Sequence, residues 1–205
     1  MIELYACNTS NGQRGAVMLA EAGLAFNTHI LNLKAGEHKT PEFRKINPVG
    51  AVPVIIDPDG PDGKPLTLAQ TGAICLYVAE KTGQFLPQDM RTRCIALQYF
   101  MQAMSDVVLY SGAYAFSLMR FPEPNVASTK VFKDPLLEHM GYFDQRLADV
   151  EFLAGEISIA DIALYPAVNQ RWGLIEELGG LSNLNRWRKM MAARPGIARG
   201  MQAVA

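Results

Sequence analysis

The chain lacks clustered cysteines, an excess of either charge and any long apolar run, and each absence removes a class of function. Its three cysteines, Cys7, Cys75 and Cys94, form no CxxC or Cys/His cluster. No metal is therefore expected, and the odd count argues against a secreted disulfide framework, which makes the cytoplasm the expected compartment. Lys and Arg number 19 against 20 Asp and Glu, a net charge of −1. No positive field exists to hold nucleic acid or an anionic membrane. No apolar stretch approaches the roughly 18 residues of a membrane span, and Met1-Ile2-Glu3-Leu4 shows neither the basic nor the apolar region of a signal peptide. Repeats and low-complexity tracts are missing as well. What remains is 205 residues, 49% of them apolar, enough for a packed core in one large domain or two small ones.

Local signals give the first 81 residues a mixed character. Ile2 to Ala6 reads as a strand, and the cluster Asn8-Thr9-Ser10-Asn11-Gly12 as a loop running into a helix N-terminus. Val17, Leu19, Ala20 and Leu24 give that helix its apolar positions, and Gly23 ends it. A second strand is expected over Phe26 to Leu33, and Thr40-Pro41 fits an N-cap followed by proline at the first helical position. Pro53 to Ile56 reads as a third strand, with a turn-rich segment leading to a hairpin partner over Lys64 to Leu68 and a helix from Thr71 to Lys81. Residues 82–89, carrying Gly83 and Pro87, read as a linker, and residues 90–205 as all-helical. In the helical part Ser158 and Asp161 form a capping box flanked by Ile157 and Ile162, which marks a buried anchor.

Two segments suggest binding of a small zwitterionic peptide. Asn47-Pro48-Val49-Gly50-Ala51-Val52-Pro53 leads directly into the apolar strand, and Gln70-Thr71 places an amide and a hydroxyl at a helix start. Strand edges pair with extended peptides, and helix N-termini attract carboxylates.

Asn-Pro-Val-Gly-Ala-Val-Pro, the Gln-Thr helix start and Ser158-Ile159-Ala160-Asp161, in this order and spacing, resemble the cytosolic glutathione transferases over essentially the whole chain. Within them, Thr9-Ser10-Asn11-Gly12-Gln13-Arg14 is similar to the Thr-Pro-Asn-Gly loop of the Nu class and the related yeast prion-type regulator. The resemblance implies a thioredoxin-like βαβαββα domain over 1–81, an all-helical domain over 90–205 supplying the electrophile pocket, a homodimer, and glutathione as co-substrate. It implies a cis Val52–Pro53 bond whose turn would offer the Val52 backbone to the cysteinyl residue of glutathione. Thr71 would take the γ-glutamyl carboxylate and Gln70 the α-amino end, although many relatives carry a carboxylate at the latter position. His38 would face the glycyl carboxylate in a neighbourhood made basic by Lys34, Lys39, Arg44 and Lys45. An ordinary loop proline, a plain N-cap at Thr71 and a solvated helix face around His38 are the structural alternatives.

Chemistry is expected to centre on Asn11, then Thr9, then Ser10, where a helix dipole, an amide and hydroxyls meet a thiolate. Lowering a thiol pKa by about two units takes about 2.7 kcal/mol. The gain in thiolate, roughly 25-fold, is partly offset by reduced nucleophilicity, so positioning of the electrophile must carry most of the rate. Tyr5 lies inside a strand and reads as core. Cys7 begins a CxxS similar in form to a monothiol glutaredoxin site, or is a buried strand-end thiol. Tyr110, Tyr114, Phe116 and Met119 could line the second pocket or a helical core, and Lys130 or Lys133 could reach the ligand. The expected activity is attack by glutathione thiolate on a disulfide or an electrophilic carbon, with disulfide reduction favoured by the Nu-like resemblance. The alternatives are a non-catalytic glutathione-binding regulator and a Cys7-dependent thiol transferase.

Overall fold

The computed structural model describes residues 1–120 and 126–205. Two compact units emerge, one made of residues 1–86 with 192–205, the other of 87–191. The sequence reading leaves everything from 90 to 205 to the helical domain, whereas residues 192–205 group with the first unit.

The first unit is a four-stranded sheet with helices. Strands β1 (Ile2–Ala6), β2 (Phe26–Ile30), β3 (Val54–Asp57) and β4 (Leu66–Ala69) are arranged in the order β2-β1-β3-β4. β1 and β2 are parallel, joined through helix α1 (Ser10–Glu21), while β3 runs antiparallel to both β1 and β4. Helices α2 (Pro41–Ile46) and α3 (Thr71–Thr82) complete the βαβαββα order. β2 stops at Ile30, three residues short of the expected strand end. There the Asn32 side chain accepts from the Ala35 amide, while Glu37 accepts from the Asn32 amide, so the backbone turns away from the ladder.

α1 is buried along nearly its whole length because small residues let neighbours approach. A Cβ on Gly12 would overlap the Cys7 carbonyl oxygen, and one on Gly15 would stand 3.3 Å from the Pro53 side chain. Helix α10 (Pro195–Gln202) packs on α1 in the same manner, Gly196 against Glu21 and Gly200 against Val17. Arg194 locks the contact by bonding the buried Glu21 carboxylate at 2.6 and 2.9 Å.

The second unit is helical: α4 (Met90–Gln102), a π-helical turn over Ala103–Val107, α5 (Val108–Arg120), α6 (Val126–Asp149), α7 (Ile159–Gln170), α8 (Trp172–Glu176) and α9 (Ser182–Ala192). The capping box at the start of α7 forms as the sequence indicates. Asp161 accepts from the Ser158 amide and hydroxyl, the Leu153 amide and the Trp187 indole N–H, at 2.9 to 3.1 Å. Burial pushes its carboxyl up, against the pull of those donors.

Candidate functional site

Strand direction brings four loops of the first unit to one end of the sheet. β1 and β2 both finish there, β3 starts there, and β4 finishes there. Tyr5 pairs with Val54 and Val54 with Ala69. The residues next to these pairs, Cys7 to Asn11 after β1, Val52-Pro53 before β3 and Gln70-Thr71 after β4, therefore leave the ladder together. His38 lies in the connection that follows β2.

The start of α1 carries the polar groups. Thr9 is the N-cap, its hydroxyl oxygen accepting from the Gly12 amide at 3.2 Å and standing 3.6 Å from Cys7 Sγ. A cap made with a lone pair leaves the O–H free to donate. Ser10 is the first helical residue, half-buried. Asn11 accepts on Oδ1 from Arg14 Nη1 at 2.7 Å. Arg14 itself is fully buried, and desolvation pushes its pKa down to about 10, so it stays cationic at neutral pH. Cys75, on α3 and fully buried, is pushed up to about 12 by desolvation, with the charge of Arg14 acting in the opposite direction. Its thiol is protonated and inert near neutrality. The sequence offers Arg14 only as the end of the loop motif and gives it no role; its place one turn after Asn11, between Gly12 and Gly15 on a helix with no other basic residue, is the available signal.

The loop before β3 is held by side chains from its surroundings. Gly50 has φ 61°, and a Cβ there would come within 2.6 Å of the His38 carbonyl oxygen. Only glycine allows this approach. Lys39 Nζ donates to the carbonyls of Val49 and Gly50 at 3.1 and 2.6 Å, and Asn47 Nδ2 to Ala51 O at 2.8 Å. Lys39 is thus committed to the loop, while Lys34, Arg44 and Lys45 are exposed. The Val52–Pro53 peptide bond is cis. Among the described residues no backbone hydrogen bond uses the N–H or C=O of Val52. His38 sits in a 3-10 turn over Glu37–Lys39, with a buried Nδ1 that has no protein partner among the described residues.

At the start of α3 the backbone leaves the usual range. Gln70 has φ 73° and ψ 117°, costly for a residue with a Cβ, and provides no side-chain cap. Thr71 is buried and its hydroxyl is taken by no described residue. The helix is anchored further along. Asp57, nearly fully buried, accepts from Tyr77 OH at 2.7 Å and pairs with Lys81 at 2.9 Å. Burial works against its ionisation, but the bonds from Tyr77, Lys81 and the Asp59 amide outweigh it and hold the carboxyl below its usual range.

Other sequence candidates fall elsewhere. Tyr5 stacks on His29 at 4.5 Å and meets Phe43 of α2 edge-on at 6.0 Å. Cys7 is buried, at 6% exposure. On α5, Tyr110 stacks on His139 and Tyr114 lies under Arg171, while Phe116 and Met119 are exposed on the other side of the helix, so the four share no face. Lys130 pairs with Asp134 and Lys133 with Glu177. No cluster of metal-ligating side chains occurs among the described residues.

Both family models and known proteins match this chain. Residues 9–81 match the model of the glutathione S-transferase N-terminal domain and residues 108–195 that of its C-terminal domain. The disulfide-bond oxidoreductase YfcG of Escherichia coli K12 is 32% identical over 98% of this chain and 94% of its own. A glutathione transferase from Pseudomonas putida, solved with one glutathione disulfide per subunit, is 30% identical with a TM-score of 0.91, covering 98% of this chain and 90% of that one. One from Burkholderia graminis, solved with two glutathione molecules per subunit, is 34% identical with a TM-score of 0.89, covering 98% and 87%.

Proposed function

The chain belongs to the glutathione S-transferase family, and we propose that it uses glutathione to reduce small-molecule disulfides. The observation that carries this reading is the sheet end that gathers a helix start without a side-chain cap, the unpaired backbone of Val52, the His38 ring with its buried Nδ1 and the Asn11 amide.

Each part of that end suits one part of the tripeptide. The first N–H groups of α3 and the Thr71 hydroxyl take the γ-glutamyl carboxylate, and the Gln70 amide takes the amino end. The Val52 N–H and C=O pair with the cysteinyl residue as a neighbouring strand would. His38 faces the glycyl carboxylate. The sulfur then lies over the start of α1, where Asn11 Nδ2, the Thr9 hydroxyl and secondarily Ser10 can donate to the thiolate.

The reaction is two successive exchanges. The thiolate attacks one sulfur of the substrate disulfide, forming a glutathione mixed disulfide and releasing the other sulfur as a thiolate that takes up a proton. A second glutathione thiolate attacks the mixed disulfide at the glutathione sulfur, giving glutathione disulfide and the second substrate thiol. Two glutathiones are oxidised for each disulfide reduced. The relatives solved with glutathione disulfide or with two glutathiones hold the product and reactants of such a sequence.

The chain is further proposed to act as a cytoplasmic homodimer. Met90, Cys94 and Met101 share one exposed face of α4, and an apolar helix face in water favours a second copy. Sedimentation at micromolar concentration checks this, with a monomer as the contrary result.

Glutathione-dependent reduction of a small disulfide, measured beside conjugation of an aryl halide, tests the activity. Reduction should dominate and should fall about 100-fold in Asn11→Ala while glutathione binding persists. Protein that binds glutathione but turns over neither substrate is a regulator, and the proposal fails. Cys7→Ser should keep full activity, since the Cys7 thiol is buried; loss of reduction there would move the chemistry to Cys7.

A further inference from the structure

We infer that Arg14 is a positioning residue that orients and polarises the Asn11 amide toward the glutathione sulfur. The inference rests on the reading of Asn11 as the donor to that sulfur.

A carboxamide presents a donor on one side and an acceptor on the other, and rotation by half a turn exchanges them. With its oxygen toward a thiolate, Asn11 would repel the charge it is meant to hold. The Arg14 guanidinium has donors only, so its 2.7 Å bond from Nη1 to Asn11 Oδ1 is compatible with one orientation, oxygen inward and Nδ2 outward. Among the described residues Nδ2 has no protein acceptor. The guanidinium also draws electron density from the amide, which makes the Nδ2 protons better donors to an anion.

The burial of Arg14 supports a role beyond packing. A fully buried cation is costly, and an apolar side chain of similar length fills such a space at lower cost. Gly12 and Gly15, on either side of it in the sequence, set the helix close against Cys7 and Pro53. Cys75 lies within electrostatic reach of Arg14 and one turn after Thr71.

The readout is the thiolate absorbance of bound glutathione near the ultraviolet edge, followed against pH. In Arg14→Met the bound thiol pKa should rise by about one unit, an about tenfold lower thiolate fraction below both pKa values, with the KM for glutathione changed less than about threefold. Arg14→Lys should recover part of that shift. In an Asn11→Ala background Arg14→Met should shift the pKa no further, because the effect passes through the amide. A folded, glutathione-binding Arg14→Met with an unshifted thiol pKa overturns the inference. Asn11→Ala alone, at a half-exposed position, covers the case in which Arg14→Met does not fold: it must raise the thiol pKa, and an unchanged value overturns the inference equally. Failure of the wild-type protein to bind glutathione or to reduce a disulfide is a different result, and it removes the proposed function itself.

Discussion

Two helix starts, one in each unit, solve the same problem in opposite ways. Every helix N-terminus leaves N–H groups without partners inside the helix. At α7 the chain satisfies them itself, with Ser158 capping and Asp161 accepting four hydrogen bonds in a fully buried site. At α3 it does the reverse. Gln70 adopts a strained backbone and caps nothing, and the Thr71 hydroxyl has no described partner. The first start contributes stability and the second is the one proposed to take the γ-glutamyl carboxylate. α3 tolerates its open end because Asp57 holds its other half through Tyr77 and Lys81.

The largest effect that tests this contrast is Asp161→Ala. It strands buried donors from Leu153, Ser158 and Trp187 and should cost about 4 kcal/mol of unfolding free energy in a denaturant titration. Glutathione affinity of the molecules still folded should be unchanged. Thr71→Ala should do the opposite, weakening glutathione binding by about 1.5–3 kcal/mol in calorimetry, as for a hydrogen bond to a charged group, with little change in melting temperature. If Thr71→Ala unfolds the protein and leaves affinity intact, the two helix starts are alike and the contrast is lost.

Acid should reach the far end of α3. The Asp57 carboxyl is held below its usual range in the folded state, so its stabilisation is complete above the ordinary value of about 3.9. It is lost as pH falls through the lower folded value. Denaturation midpoints recorded from pH 7 to pH 2.5 should therefore drop on that acid limb in the wild type and drop less in Asp57→Asn. The smallest effect is expected from Gln70→Gly, which relieves the positive φ and should stabilise the fold by about 0.5–1 kcal/mol, while weakening glutathione binding through loss of the amide.

The α7 start was readable from four residues because capping is local chemistry: Ser158 and Asp161 bond to backbone within three positions. The Thr40-Pro41 start of α2 and the Gly23 end of α1 were readable for the same reason. The strain at Gln70 was not, since a positive φ at glutamine is imposed by the end of β4 and the packing of α3 and leaves no mark in side-chain type. Arg14 escaped because a lone arginine reads as solvated until the glycines beside it are seen to draw the helix inward. The grouping of residues 192–205 with the sheet depends on Arg194 meeting Glu21, 173 positions earlier. No window of local periodicity spans that distance. The spacing of Gly196 and Gly200, now seen against α1, was the one trace of it in the sequence.

That same contact sets an order of maturation during synthesis. Residues 87–191 form their unit from one continuous stretch of chain, but the sheet unit includes a segment translated more than a hundred residues after its last strand. Until Arg194 arrives, the Glu21 carboxylate has no cation at 2.6 Å and α1 lacks the cover of α10. A chain interrupted before residue 194 therefore carries every proposed glutathione contact and still leaves α1 without the cover of α10.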